Sequence, residues 1–170
     1  MQDASATSVD LLADALEPQA AEIVRALRDF DEAEALMRGR FRALLGVGAT
    51  DLAALRYIRS REKQGEPARA TDLRRRLGVS SAAATTITNR LTTAGFIEKP
   101  RDPADRRARV LRLTEDARRR IDEAVGDTEH RLDDVLTSIP ADEARRIVEL
   151  VESCTAVVNE AAGGVGSPTA

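Results

Sequence analysis

The segment EKPRDPADRRARVLRLT, residues 98–114, sets five arginines and one lysine against three acids. These charges surround a turn at Asp102-Pro103-Ala104-Asp105. Guanidinium groups crowded onto a turn are suited to holding a polyanion, by charge and by a planar fork that matches phosphate. Arg106 and Arg107 follow the turn and fall at or just past its tip. An arginine there can enter a narrow minor groove, whose negative potential favours it. A loop carboxylate such as Asp105 can pair with Arg106, Arg107 or Arg90 and fix the direction of the fork. An edge hairpin protecting itself with charge would explain some of these cations. It would not require five arginines.

A second group lies just upstream, in AAATTITNRLTTAG, residues 82–95. At 100° per residue, Ala84, Ile87 and Leu91 share one face and pack inward. Ala82, Thr85, Asn89 and Thr93 then point outward, with Thr86 and Arg90 on the flanks. This outward face is small, hydrogen-bonding and free of acids. Such a surface can approach base edges in a major groove about 12 Å wide, although a solvated threonine-rich face would look the same by pattern alone. The candidate DNA-contacting residues are Ser81, Ala82, Thr85, Thr86, Asn89, Arg90, Arg106 and Arg107. Arg74, Arg75 and Arg76 form a charge run expected to be partly solvated and partly able to touch phosphate. Arg118, Arg119 and Arg120, interleaved with acids, are expected to stay in solvent.

Charge is unevenly spread along the chain. The 170 residues carry a net charge of −3 and a pI of about 5.4. Between Arg69 and Arg112, however, 11 Lys/Arg face 4 Asp/Glu, a net of +7, which leaves −10 for the remainder. A basic segment between acidic flanks is a local footprint for a polyanion. Other chemistry finds no support. No nucleophile–base pair, glycine-rich phosphate loop or metal-spaced Cys/His cluster is present, so neither catalytic residues, metal nor cofactor are expected. His130, the sole histidine, sits among Glu129, Asp133 and Asp134 and reads as a surface or interface residue. Cys154, the sole cysteine, reads as a small buried hydrophobe. It permits no intrachain disulfide and suits a reducing cytoplasm. There is neither an apolar run near 18 residues nor a secretory leader pattern, so no membrane partner is expected.

The elements that must position these groups are legible from punctuation and periodicity. Phe30, Phe41, Phe96 and Tyr57 are the only aromatics, so the core must be aliphatic, which suits helices. Val9–Leu45 is helical in pattern, with Pro18 breaking or restarting it. Gly46 ends it, and Gly48 or Thr50 caps a helix carrying Leu52, Leu55 and Ile58. Residues 70–77 form a short helix, with Gly78 in the turn and Ser80 or Ser81 capping the next helix. FIEKP (96–100) and RARVLRL (107–113) read as two strands joined by the proline turn. A long helix follows Thr114 and carries Ile121, Ala124, Val125, Leu132, Val135 and Leu136. Pro140 separates it from a last helix with Ile147, Val148, Val151, Cys154 and Val158.

The predicted fold class is mainly α with a small β-hairpin wing: a winged helix-turn-helix flanked by N- and C-terminal dimerisation helices. The boundaries expected are a disordered N-terminus at 1–8, an N-terminal dimerisation helix region at 9–46 and the DNA-binding domain at 47–113. C-terminal dimerisation helices at 114–162 and a disordered tail at 163–170 complete the chain.

The residues resemble the MarR family of bacterial transcription regulators. DPADRRARVLRLTEDAR (102–118) is similar to the family's wing and the start of the following helix. DLRRRLGVSSAAATTITNRLTTAGFIEK (72–99) is similar to its helix-turn-helix, including the Asn89-Arg90-Leu91 and Gly95 ending. The match is good over roughly 48–120; Ala117 and Arg69 depart from it, standing where glycine and a threonine cap are usual. The resemblance implies a homodimer with interlocked terminal helices, double-stranded DNA bound at a near-palindromic operator, and Arg106 as the arginine entering the minor groove. It further implies a repressor released by a small aromatic or lipophilic effector. A constitutive architectural DNA-binding protein without an effector is the alternative. The N-terminal cysteine of the family's peroxide-sensing branch is missing.

Overall fold

The computed structural model describes residues 16–101 and 109–163. Pro18 opens α1 (Pro18–Leu45), in the first turn, where its missing N–H costs nothing. The restart expected at this proline is therefore observed, and residues 9–15 of the predicted helix lie outside the described residues. Gly46 closes α1 at φ +67 and hands the chain to α2 (Ala49–Lys63), with Gly48 at the N-cap. Next come α3 (Ala70–Leu77) and α4 (Ser81–Thr93). Between them Gly78 takes φ +63, a left-handed conformation that costs glycine little. Ser80 supplies the cap of α4, its Oγ accepting from the Ala83 N–H at 3.2 Å.

The hairpin is shorter than the sequence predicts. β1 (Ile97–Glu98) pairs antiparallel with β2 (Arg112–Leu113), in the register Ile97 opposite Leu113 and Glu98 opposite Arg112. Among the described residues, the expected strands over 96–100 and 107–113 are cut short for two reasons. The Phe96 N–H is used to close the end of α4, donating to the Leu91 carbonyl at 2.9 Å. Pro100 has no N–H to give the ladder. Beyond the two pairs the described residues hold single bridges, Arg101 with Arg109 and Ala68 with Leu111. The second was not foreseen: the Leu111 N–H donates to the Ala68 carbonyl at 2.7 Å and ties the hairpin to the segment before α3. The tip, residues 102–108, lies outside the described residues.

α5 (Glu115–Val125) corrects another expectation. The helix starting at Glu115 does not run on through Leu136 but ends at Gly126, φ +57, and α6 (Thr128–Thr137) begins afresh. The apolar periodicity continues past Gly126 and hides the break. α7 (Ala141–Gly163) follows Pro140 as expected. The chain divides into two units at this same place, 1–124 and 125–170.

The core of the first unit is aliphatic, as the composition requires. α3 packs on α4, α2 packs against both and against β2, and α1 packs against α2. Leu55, Ile58, Leu73, Leu91, Ile97 and Leu113 are the largest fully buried side chains. Burying each contributes roughly 1.5–3 kcal/mol. Ala117 is wholly buried, and its N–H is capped by Thr114 Oγ1 at 3.1 Å. In the second unit, His130 is exposed and Cys154 is half-buried.

Two arginines expected in solvent do structural work. Arg118 donates through Nε and Nη2 to both carboxylate oxygens of Glu62, at 3.3 and 3.1 Å. Glu62 Oε1 also accepts the Leu113 backbone N–H at 3.0 Å. One carboxylate at the end of α2 thus holds β2 and α5 together. The hydrogen bond to Glu62 keeps the Arg118 guanidinium still more firmly protonated than a free arginine. Arg120 donates to the Leu45 carbonyl at 3.1 Å and lies 4.5 Å over the Phe96 ring. Only Arg119 meets the expectation, exposed and paired with its helix neighbours Asp116 and Glu123.

Glu62→Ala should therefore destabilise the protein by about 1–3 kcal/mol, the cost of leaving a half-buried N–H and an arginine without their acceptor. Glu62→Gln, which keeps an acceptor for Leu113, should cost less. Urea denaturation followed by circular dichroism measures both. Equal losses from the two variants would show that the backbone hydrogen bond contributes nothing.

Candidate nucleic-acid interface

α4 carries the face that the pattern predicts. Ala84, Ile87, Thr88 and Leu91 are buried, while Ser81, Ala82, Thr85, Thr86, Asn89, Arg90 and Thr93 are exposed. Thr85 Oγ1 donates to the Ser81 carbonyl at 2.9 Å and Thr86 Oγ1 to the Ala82 carbonyl at 3.1 Å. Threonine is a poor helix former, but these back-bonds place its proton inside the helix. What remains outward is a methyl group and an oxygen able to accept.

Arg90 is exposed, yet its fork is engaged within the protein. Nε and Nη2 donate to the two oxygens of Asp51, at 2.9 and 2.6 Å. Asp51 is only 6% exposed and lies in the first turn of α2. The bidentate hydrogen bond to Asp51 holds Arg90 protonated beyond the ordinary arginine range. A two-point bond fixes direction as well as distance, so this pair sets the rotation of α4 against α2. Arg90 was singled out as a DNA contact; its Nε and Nη2 are engaged with Asp51, while the side chain stays about half exposed beside Asn89 and Thr86.

Lys99, just after β1, completes the arrangement. Its Nζ donates to Thr88 Oγ1 at 3.2 Å and to Asn89 Oδ1 at 2.7 Å. Thr88 Oγ1 in turn donates to the Thr85 carbonyl at 3.0 Å. Partial burial, then the charge of Arg109, push the Lys99 ammonium below the usual lysine pKa. Arg109 is linked to the same residue through the backbone, Nη1 donating to the Lys99 carbonyl at 2.8 Å. Asp51, Thr88 and Lys99 were all missed in the sequence. Asp51 carries only the signal of an acid near a helix N-terminus, and nothing local links it to Arg90.

The structure therefore brings Ser81, Ala82, Thr85, Thr86, Asn89 and Arg90 onto one helix beside the hairpin. Arg106 and Arg107 lie outside the described residues. Arg74, Arg75 and Arg76 are exposed on α3, where Arg75 pairs with Asp72. Tyr57, Arg61, Asp72, Arg75 and Arg76 line an open groove of about 560 Å³ between α2 and α3.

Removing either end of the Asp51–Arg90 pair should lower the melting temperature. Asp51→Ala plus Arg90→Ala together should cost less than the sum of the two, since the second change removes a group already orphaned. A thermal double-mutant cycle measures this, and strict additivity would mean the pair is not coupled.

Residues 45–108 match the profile of the MarR family. The HTH-type transcriptional regulator YdgJ of Bacillus subtilis (strain 168) is 25% identical over 112 residues. That match covers 66% of each chain, so this chain spans just under two thirds of its relative's length. The transcriptional regulator Tm0710 of Thermotoga maritima has a similar structure, with a TM-score of 0.50 at 21% identity, over 82% of this chain and 97% of that one. So does the F27L mutant of S. aureus MepR, solved bound to an oligodeoxyribonucleotide, with a TM-score of 0.50 at 11% identity, over 79% and 96% of the two chains. The similarity to the MarR family thus rests on residues 45–108, the segment that holds α2, α3, α4 and β1.

Proposed function

We propose that this protein is a sequence-specific DNA-binding transcriptional regulator that acts as a homodimer on a near-palindromic operator. The observation that carries the reading is the exposed, acid-free face of α4, set within a segment of net charge +7 in a chain of net charge −3. Ser81, Ala82, Thr85, Thr86 and Asn89 are the side chains on α4 that would meet base edges and phosphates. Arg106, with Arg107 beside it, would enter the minor groove. The oligonucleotide bound to the S. aureus MepR mutant supports the same partner class.

Dimerisation is supported by apolar surface left uncovered in the single chain. Phe30, Leu36 and Leu44 on α1, Val135 and Leu136 on α6, and Val148 and Val157 on α7 are all more than half exposed. Monomeric soluble proteins rarely leave so many large apolar side chains in water. Among the described residues no helix is long and apolar enough to cross a membrane, so a lipid bilayer does not cover these faces by spanning. The finer reading, a repressor released by a small aromatic or lipophilic effector, rests on the family resemblance. A screen of aromatic acids for ligands that raise the melting temperature and release the operator tests it.

Light scattering at micromolar concentration should give the mass of a dimer; a helical monomer would refute the assembly. Binding to the operator, measured by fluorescence anisotropy, should weaken steeply with salt. If a dimer neutralises roughly eight to ten phosphates, log K against log salt falls with a slope of about −7 to −9. A slope shallower than about −3 would remove the basic segment as the contact surface. Arg106→Ala should weaken binding by about 1–3 kcal/mol per half-site, and Arg106→Lys should rescue only part of it. Arg119→Ala is the charge control, because Arg119 is held by Asp116 and Glu123 on the exposed side of α5. Equal losses from Arg106→Ala and Arg119→Ala would mean that net charge alone matters.

A further inference from the structure

A carboxamide offers DNA a donor and an acceptor at opposite ends of one plane. Asparagine reads adenine by using both at once, the oxygen accepting from N6 and the nitrogen donating to N7. In Asn89 one of those ends is already engaged. A lysine ammonium has three donors and no acceptor, so the Asn89 atom 2.7 Å from Lys99 Nζ must be the oxygen. Chemistry alone makes that assignment. The ammonium is itself anchored, because the Thr88 hydroxyl gives its proton to the Thr85 carbonyl and turns its oxygen toward Lys99 at 3.2 Å. Thr88 is 3% exposed, so this anchor is fixed in the core. One lone pair of the Asn89 oxygen is thus committed to a cation of the protein, which leaves the carboxamide nitrogen as its donor toward a base.

We propose that Lys99 is a specificity-determining residue: by occupying one lone pair of the Asn89 oxygen it biases Asn89 toward donating to DNA and so weakens the paired contact by which asparagine selects adenine. The inference rests on the DNA-binding reading above and concerns which base that same face accepts. An Asn89 biased to donate suits an edge rich in acceptors, such as guanine with O6 and N7, and gains less from the adenine N6 amino group. The outward oxygens of Thr85 and Thr86 supply the acceptors that Asn89 does not.

Binding-site selection from randomised DNA tests the proposal with four proteins: wild type, Asn89→Ala, Lys99→Met and Lys99→Arg. The position read by Asn89 is the one whose base preference Asn89→Ala abolishes. There the wild type should favour guanine over adenine. Lys99→Met keeps the aliphatic stem but frees the carboxamide oxygen, and should move the guanine-to-adenine ratio toward adenine by about tenfold, the scale of one bidentate base contact. Lys99→Arg retains a donor and should keep the wild-type preference. Lys99→Leu is the second removal if methionine disturbs the hairpin. An unchanged ratio in both removal variants, even with affinity lowered for every sequence alike, overturns the proposal and leaves Lys99 as a phosphate contact. No position sensitive to Asn89→Ala also overturns it, while DNA binding stands. A wild type that selects no sequence refutes the DNA-binding reading itself, and the inference falls with it.

Discussion

The ion pair between Asp51 and Arg90 is the constraint on which the presentation of α4 depends. A carboxylate 6% exposed cannot be left without a counter-charge. Arg90 is roughly half exposed, so water screens part of the attraction and the pair is a modest source of stability. Its larger effect is on geometry. Two parallel hydrogen bonds hold one helix of the core and the exposed helix in a single relative rotation. Turning α4 by one residue would move Thr85 and Asn89 off the outward face and strand the Asp51 charge. The same pair therefore disfavours the wrong rotation and holds the right one.

The arginines divide by the partners within their reach. Arg90, Arg118 and Arg120 are each drawn to a partner in another element, and each fixes a junction: α4 to α2, α5 to α2, and α5 to the end of α1. Arg74, Arg75 and Arg76 stay on the surface. A single residue type thus serves as an internal clamp at three junctions and lies on the open surface elsewhere. Geometry separates the roles where composition does not, because a fork that meets a carboxylate at two points is no longer available for phosphate.

The helical punctuation was legible in the sequence because its signals are local. Pro18, Gly78 and Ser80 each act on their own turn, and the elements around them fall where expected. The buried side of α4 was equally readable, since Ala84, Ile87 and Leu91 recur at helical spacing. The clamps were not. Asp51 and Arg90 are 39 residues apart, and Glu62 lies 56 from Arg118. Arg118 was misread because Glu115, three residues away, already offered a sufficient local partner. Gly126 was passed over because apolar residues continue on both sides of it. In each case the sequence holds the residue but not the distance that decides its role.

The long separations also order events in time. α3, Gly78 and α4 close over short stretches of chain and can form early. Glu62 must wait for a loop of 51 residues to bring it the Leu113 N–H, and closing such a loop is an entropic cost met before any contact rewards it. The hairpin junction is thus expected to form late, with low φ-values, after α2, α3 and α4 have packed. Weakening Glu62 would then accelerate unfolding while leaving refolding nearly untouched, an asymmetry that the two arms of a chevron plot would display or refute. On this account the junction acts as a kinetic latch: it sets the lifetime of the wing more than the speed at which the fold is reached.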